Sequence, residues 1–183
     1  HYHDFLFGLD QQTGVHILNL SDPYNPILIS SISIESSGYA MTIAGDRLFI
    51  ATASGLYLYH ILDPSTPQYL GQYDDGGSLY DVEVFQDLAF TADIQDGLEI
   101  INVSDPSSSW KVSETSPDAG NARTLKLARA AGISDILLLG CVNGGGLELV
   151  DISGITSPSI VSVVESSCSI WDLTALVIPT LRI

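Results

Sequence analysis

The stretch GLEIINVSDP, residues 97–106, decides the reading of this chain, because near copies stand at 14–23 (GVHILNLSDP), 55–64 (GLYLYHILDP) and 145–154 (GGLELVDISG). A segment that recurs at regular intervals is a building block before it is a site. The glycines that open the copies, Gly14, Gly55, Gly97 and Gly146, are spaced by 41, 42 and 49 residues, and the longest spacing carries the insertion ARAAGISD in a turn. Repeat units therefore open near residues 14, 55, 97 and 146 of a single domain spanning 1–183.

Each copy has the same inner grammar. An apolar run precedes the glycine (FLFGLD, LFIATA, LAFTAD, ILLLGC), and a run with apolar residues at alternate positions follows it. This is the pattern of two antiparallel strands joined at a glycine-containing turn. The second run ends at Asp22-Pro23, Asp63-Pro64 and Asp105-Pro106. Proline cannot donate to a sheet ladder and aspartate folds its carboxylate onto nearby amides, so the pair stops a strand and starts a turn. Further prolines follow at Pro26, Pro67 and Pro158. A third short strand comes next (ILISSISI, QYLGQYD, WKVSET, IVSVVES), then a Gly- or Ser-rich link, then a fourth (YAMTIAG, LYDVEVF, RTLKLA, IWDLTAL). Helical periodicity is absent. Four antiparallel strands in about 42 residues have the size of one propeller blade, so the fold class is all-β, a β-propeller of about four blades.

The repeat GLEIINVSDP, with LAFTAD before it and a proline after it, resembles the LVIVD repeat of bacterial and archaeal β-propeller proteins. The resemblance covers nearly the whole chain, with a departure at Gly154, where the other copies have Asp. It implies a secreted, periplasmic or cell-surface scaffold associated with adhesion, and it names no ligand. The chain begins on a second strand of a blade and ends on a first strand. A composite blade completed by both termini would close a four-bladed ring, and an open fragment of a longer ring fits the same sequence.

Charge limits the partners. The formal net charge is −16, from 22 acidic and 6 basic residues, a balance that repels nucleic acid and anionic bilayers. Of Arg47, Lys111, Arg123, Lys126, Arg129 and Arg182, only the three in ARTLKLAR cluster, too few for a nucleic-acid footprint. No run of 18 apolar residues exists to insert into a membrane as a helix. Any targeting segment lies outside this sequence.

In a propeller, the links into the innermost strands converge at one end of the channel, with one loop from each blade. Aligning the fourth strands places Tyr39, Tyr80, Arg123 and Trp171 at one equivalent position and Ala40, Asp81, Thr124 and Asp172 at the next. Aromatic rings beside carboxylates can stack on sugars, hold cations or hydrogen-bond polar ligands. The candidate binding residues are Tyr39, Tyr80, Asp81, Arg123, Trp171 and Asp172, and the partner is a protein or a glycan. The competing reading packs these side chains between blades. An enzymatic alternative, a hydrolase or lyase, would use Asp81, Glu83 or Asp172 as acid and base. No nucleophile elbow, Walker-type loop or HExxH motif accompanies these carboxylates.

The remaining polar residues read as local structure. Asp74 and Asp75 in YDDGG, and Asp93 and Asp96 in ADIQDG, are weak calcium candidates, because neither pair has the spacing of a calcium loop, and acidic turns are the better reading. No other cofactor is expected. His16 and His60 fall at different aligned positions, so they form no repeated metal ring. Cys141 and Cys168 are either buried thiols or one bridge. The sequons at Asn19 and Asn102 occupy equivalent strand ends.

Overall fold

The computed structural model describes residues 4–118, 120–128, 135–164 and 169–174. The strands form four antiparallel sheets in chain order. The first holds β1 (Phe5–Asp10), β2 (Gly14–Asn19) and β3 (Ile27–Ile32). The second holds β4 (Gly38–Ala44), β5 (Arg47–Thr52), β6 (Gly55–His60) and β7 (Gln68–Tyr73). The third holds β8 (Leu79–Phe85), β9 (Leu88–Asp93), β10 (Gly97–Asn102) and β11 (Trp110–Thr115). The fourth holds β12 (Asn121–Leu127), β13 (Ile136–Val142), β14 (Gly146–Asp151) and β15 (Ser159–Val164). Each sheet is a meander, and β8 packs against β4 on one side and β12 on the other. This is the all-β propeller architecture that the repeat predicts. Among the described residues the only helical segment is a single 3-10 turn, Pro106–Ser108, and no helix is long and apolar enough to cross a membrane.

In the second, third and fourth sheets the apolar runs before the glycines (β5, β9 and β13) are middle strands largely buried on both faces, whereas β1, the run before Gly14, is an edge strand and only partly buried. Along β5, Leu48 and Ile50 face the first sheet in a core with Val15, Ile17 and Ile32, while Phe49 and Ala51 face the third sheet with Leu79, Val82 and Ala89. Along β9 the alternation repeats: Ala89 faces back, and Phe90 and Ala92 turn forward to Leu125, Leu137 and Leu139. A strand points successive side chains to opposite faces, so one middle strand serves two cores. The core is thus three layers between blades.

Glycine opens each copy for a steric reason. Gly14 and Gly55 adopt φ of +96° and +97°, and a Cβ on either would stand 2.1 Å from a carbonyl oxygen, that of Ile32 or Tyr73. Only glycine fits both constraints. The Asp-Pro pairs behave as strand stops: Asp22, Asp63 and Asp105 accept the amides of Tyr24, Ser65 and Ser107 at 3.0, 2.9 and 3.0 Å. Side-chain hydrogen bonds, from Asn25 to Asp22, from Ser65 to Asp63 and from Ser107 to Asp105, followed by these amide bonds, hold all three carboxyls below the usual range. Asn19 and Asn102 likewise cap Ser21 and Ser104 at their strand ends.

The same turns latch neighbouring blades. Ser30 on β3 donates to the Pro64 carbonyl at 2.6 Å, and Ser113 on β11 donates to the Ile155 carbonyl at 2.5 Å. Gly71 is the equivalent residue of β7, where a Cβ would lie 2.0 Å from the Pro106 oxygen. The latch survives at Gly154-Ile155, where no Asp-Pro pair exists, because it uses a backbone carbonyl.

One expectation is corrected. The run IWDLTAL was expected to be an innermost strand, yet residues 170–174 are in no strand, and Ala175 and Leu176 lie outside the described residues. Ile170 instead donates its amide to Cys141 at 3.0 Å, at the end of β13, and its side chain lies against Gly140. Among the described residues the first sheet has three strands, one fewer than a composite blade completed by both termini would have, whereas an open fragment requires no fourth. Residues 129–134 of the insertion ARAAGISD, and Cys168, also lie outside the described residues, so the bridge has no structural reading; Cys141 is buried, and burial together with Glu148 pushes its thiol up to about 12.

The latch gives a position-specific prediction. Gly71→Ser should destabilise the fold by about 1–3 kcal/mol, because the new Cβ meets backbone, although serine is native at the equivalent positions 30 and 113. Ser30→Ala should cost about 1 kcal/mol through one lost hydrogen bond. Denaturant unfolding checks both, and an unchanged Gly71→Ser midpoint would refute the close approach.

Candidate functional site

Each innermost strand pairs with its neighbour through a bulge at the same place. Gly38 pairs with Thr52 and Ala40 with Ala51, so Tyr39 is left over. Leu79 pairs with Asp93 and Asp81 with Ala92, leaving Tyr80. Ala122 pairs with Cys141 and Thr124 with Gly140, leaving Arg123. A bulge releases one residue from the ladder and re-aims its side chain. The three aligned candidates are therefore the three bulged residues, and all three leave their strands at one end of the sheets.

They meet there. The Tyr39 and Tyr80 rings stack with centroids 4.2 Å apart and planes 14° from parallel. Arg123 Cζ lies 4.2 Å from the Tyr80 centroid and 5.3 Å from that of Trp171. A ring accommodates one group at such a distance on each face, so Tyr80 is held between Tyr39 and the guanidinium, and the guanidinium links Tyr80 to Trp171. Burial, followed by the Tyr80 hydroxyl, raises the Tyr39 phenol above its ordinary value. Trp171 is 66% exposed. An open groove of about 630 Å³, lined among others by Gln11, Tyr39, Met41 and Arg123, adjoins a recess of about 160 Å³ that reaches Asp81, Trp171 and Asp172. Arg123 has no carboxylate partner among the described residues, so its planar edge of N–H donors is not spent on an ion pair.

The candidate carboxylates divide from the rings. Asp81 Oδ2 accepts from Thr124 Oγ1 at 2.8 Å and the Leu125 amide at 2.9 Å, and Oδ1 accepts from its neighbour Val82 at 2.8 Å. It clasps the third blade to the fourth. Asp172 repeats only the local part of this, accepting the Leu173 amide at 2.8 Å, and is exposed. Glu83 pairs with Lys126 across β8 and β12. Two of the carboxylates that acid–base chemistry would need, Asp81 and Glu83, thus have structural partners.

A second polar cluster lies at the same end, where the link after β7 meets the β9–β10 turn. Lys111 Nζ stands 2.8 Å from Asp75, 3.0 Å from Glu99 and 2.7 Å from Glu114. Burial drives the Glu99 carboxyl up to about 8, Lys111 opposing and Asp75 reinforcing the rise. Burial also raises Asp75, but Lys111, Glu99 and the Tyr73 hydroxyl at 2.8 Å outweigh it and hold that carboxyl below its usual range. The same partners raise Lys111 against its own burial. The turn reading of the acidic pairs holds for Asp74, which accepts the Gly76 amide at 2.9 Å, and for Asp93, which accepts the amides of Gln95 and Asp96 at 2.6 and 2.9 Å. Glu99 and Lys111 carried no sequence signal; each occupies an ordinary strand position, and only the sheet register brings both to Asp75. His16 bonds Thr13 and Ser31, and His60 bonds Asp46, so they belong to separate blades.

Comparison with known proteins bears on the architecture. The LVIVD repeat family model matches residues 76–113 and 141–166. The computationally designed Ika8 protein superposes with a TM-score of 0.70 at 9% identity, over 93% of this chain and 49% of that one. The computationally designed Ika4 protein gives 0.62 at 10% identity, over 79% and 83%. A functionally unknown protein from Desulfotomaculum acetoxidans DSM 771 gives 0.68 at 13% identity, over 87% and 52%. The Chaetomium thermophilum Sqt1 protein, bound to the N-terminus of the ribosomal protein L10, gives 0.60 at 17% identity, over 84% and 43%. Identities this low show the fold alone, and the chain spans about half the length of the first and third of these structures. No curated protein matches it. Four successive meander sheets packed face to face give a β-propeller fold, and the third and fourth of them match the LVIVD repeat model.

Proposed function

We propose that the chain is a non-enzymatic binding scaffold, working outside the cytoplasm, that takes a protein or glycan partner at the end bearing Tyr39, Tyr80, Arg123 and Trp171. One observation carries this reading. Three consecutive blades each spend a bulge on delivering one side chain to a single continuous stack, and none of these side chains belongs to the apolar cores between blades. The apolar packing between blades is carried by other residues. The stack is also asymmetric, Tyr-Tyr-Arg-Trp, whereas the latching turns at the opposite end repeat nearly unchanged. A guanidinium held between rings offers donors in its own plane, suited to a carboxylate or hydroxyl pair, and the exposed indole offers an apolar face to a sugar or side chain. Sqt1, of similar fold, binds the N-terminus of another protein, which supports a partner of this size without identifying one.

The test uses the two tryptophans. Trp110→Phe leaves Trp171 as the only indole, so its fluorescence reports this end of the molecule. Titration with neutral oligosaccharides and with a peptide panel should shift the emission for a subset of ligands. Tyr80→Ala and Arg123→Ala should weaken that binding at least tenfold, about 1.4 kcal/mol. Their melting temperatures should stay within about 4 °C of the parent, as expected for a loss near 1 kcal/mol in a chain of this size. Variants that unfold early, with undiminished binding, would make the stack inter-blade packing and end this reading.

A further inference from the structure

The acidic junction beside this stack has the makings of a cation site. Asp75, from the link after β7, and Asp96 and Glu99, from the β9–β10 hairpin, each place an oxygen within 4.8 Å of the others. One ammonium, Lys111, pairs with Asp75, Glu99 and Glu114 and with neither Asp93 nor Asp96. Acidic clusters of this kind are common, and by itself this one would prove nothing.

Asp93 supplies the independent observation. It is 0% exposed, its Oδ1 is occupied by two turn amides, and its Oδ2 has no hydrogen-bond partner among the described residues. A buried carboxylate oxygen without a donor is costly unless something positive meets it. That oxygen is turned toward the cluster: the point where a Cβ on Gly77 would sit lies 2.1 Å from Asp93 Oδ2 and 3.4 Å from Asp75 Oδ1. Glycine at 77, lacking a Cβ, is what lets that carboxylate oxygen lie beside Asp75.

We propose that Asp75, Asp93, Asp96 and Glu99 bind one calcium ion, which ties the link between the second and third blades to the β9–β10 turn. Calcium takes six to eight oxygens at about 2.3–2.6 Å, so the oxygens around one ion stand no more than about 5.2 Å apart, and those of Asp75, Asp96 and Glu99 lie within 4.8 Å of one another. Magnesium demands a near-ideal octahedron at about 2.0–2.1 Å and keeps its waters, which four carboxylates from irregular turns suit poorly. Lys111 retains Glu114 as a partner when the ion occupies the other carboxylates.

Isothermal titration of EGTA-treated, desalted chain with calcium chloride should show one site, and the melting temperature should rise with calcium more than with magnesium at matched ionic strength. Asp96→Asn, at a partly exposed position, should weaken calcium binding at least tenfold while the chain still folds, and Asp93→Asn should do the same if it folds. Asp46→Asn, in the β4–β5 turn at the opposite end of the second sheet, should bind as the parent does. Absence of binding by the folded parent up to about 10 mM calcium, beyond the range of weak extracellular sites, overturns the proposal. Binding that survives Asp96→Asn undiminished overturns it equally, by placing the ion elsewhere.

Discussion

A β-sheet that is apolar on both faces must lie between two other sheets, and this constraint organises the molecule. Phe49 and Ala51 on one face of β5, and Leu48 and Ile50 on the other, are all nearly inaccessible to solvent because different blades cover them. A single blade has nowhere to bury that second face. Stability is therefore held in nearest-neighbour interfaces, as in other repeat architectures. The turn latches at Ser30 and Ser113, the Arg47 bond to the Val103 carbonyl at 3.0 Å and the Asp81 clasp all cross between blades.

Once the blades are stacked, the inner strands have no freedom to present side chains except where their ladders break. The bulges at Tyr39, Tyr80 and Arg123 are those breaks. They turn a repeated scaffold feature into a place where each copy can differ at little cost to the fold, since the bulged residue takes no part in pairing. Asp81 illustrates the reverse case one residue later: it is back in register, and its carboxylate is committed to Thr124 and Leu125 of the next blade.

Period, strand and turn were legible because they depend on neighbours in sequence. The alternation around Gly97, the Asp-Pro stops and the glycine requirement of the hairpins are local, and each appears as expected. The equivalence of Tyr39, Tyr80 and Arg123 was also legible, from alignment of the repeats. Their stacking was not, because a bulge is a mismatch between two strands and leaves no mark on either one alone. Glu99 reads as one more polar residue on an amphipathic strand, and its junction with Asp75 and Lys111 exists only across a sheet register and a blade boundary. IWDLTAL shows the limit of copying a pattern forward: a strand-like run still needs a partner edge, and its first residue finds Cys141 at the end of β13.

Differential scanning calorimetry tests the interdependence of the blades most directly. If no blade can bury its core alone, the chain unfolds in one transition whose calorimetric and van't Hoff enthalpies agree, with a heat-capacity increase of about 12–15 cal/mol/K per residue. Two or more resolved transitions, with one blade melting while the others persist, would contradict the account.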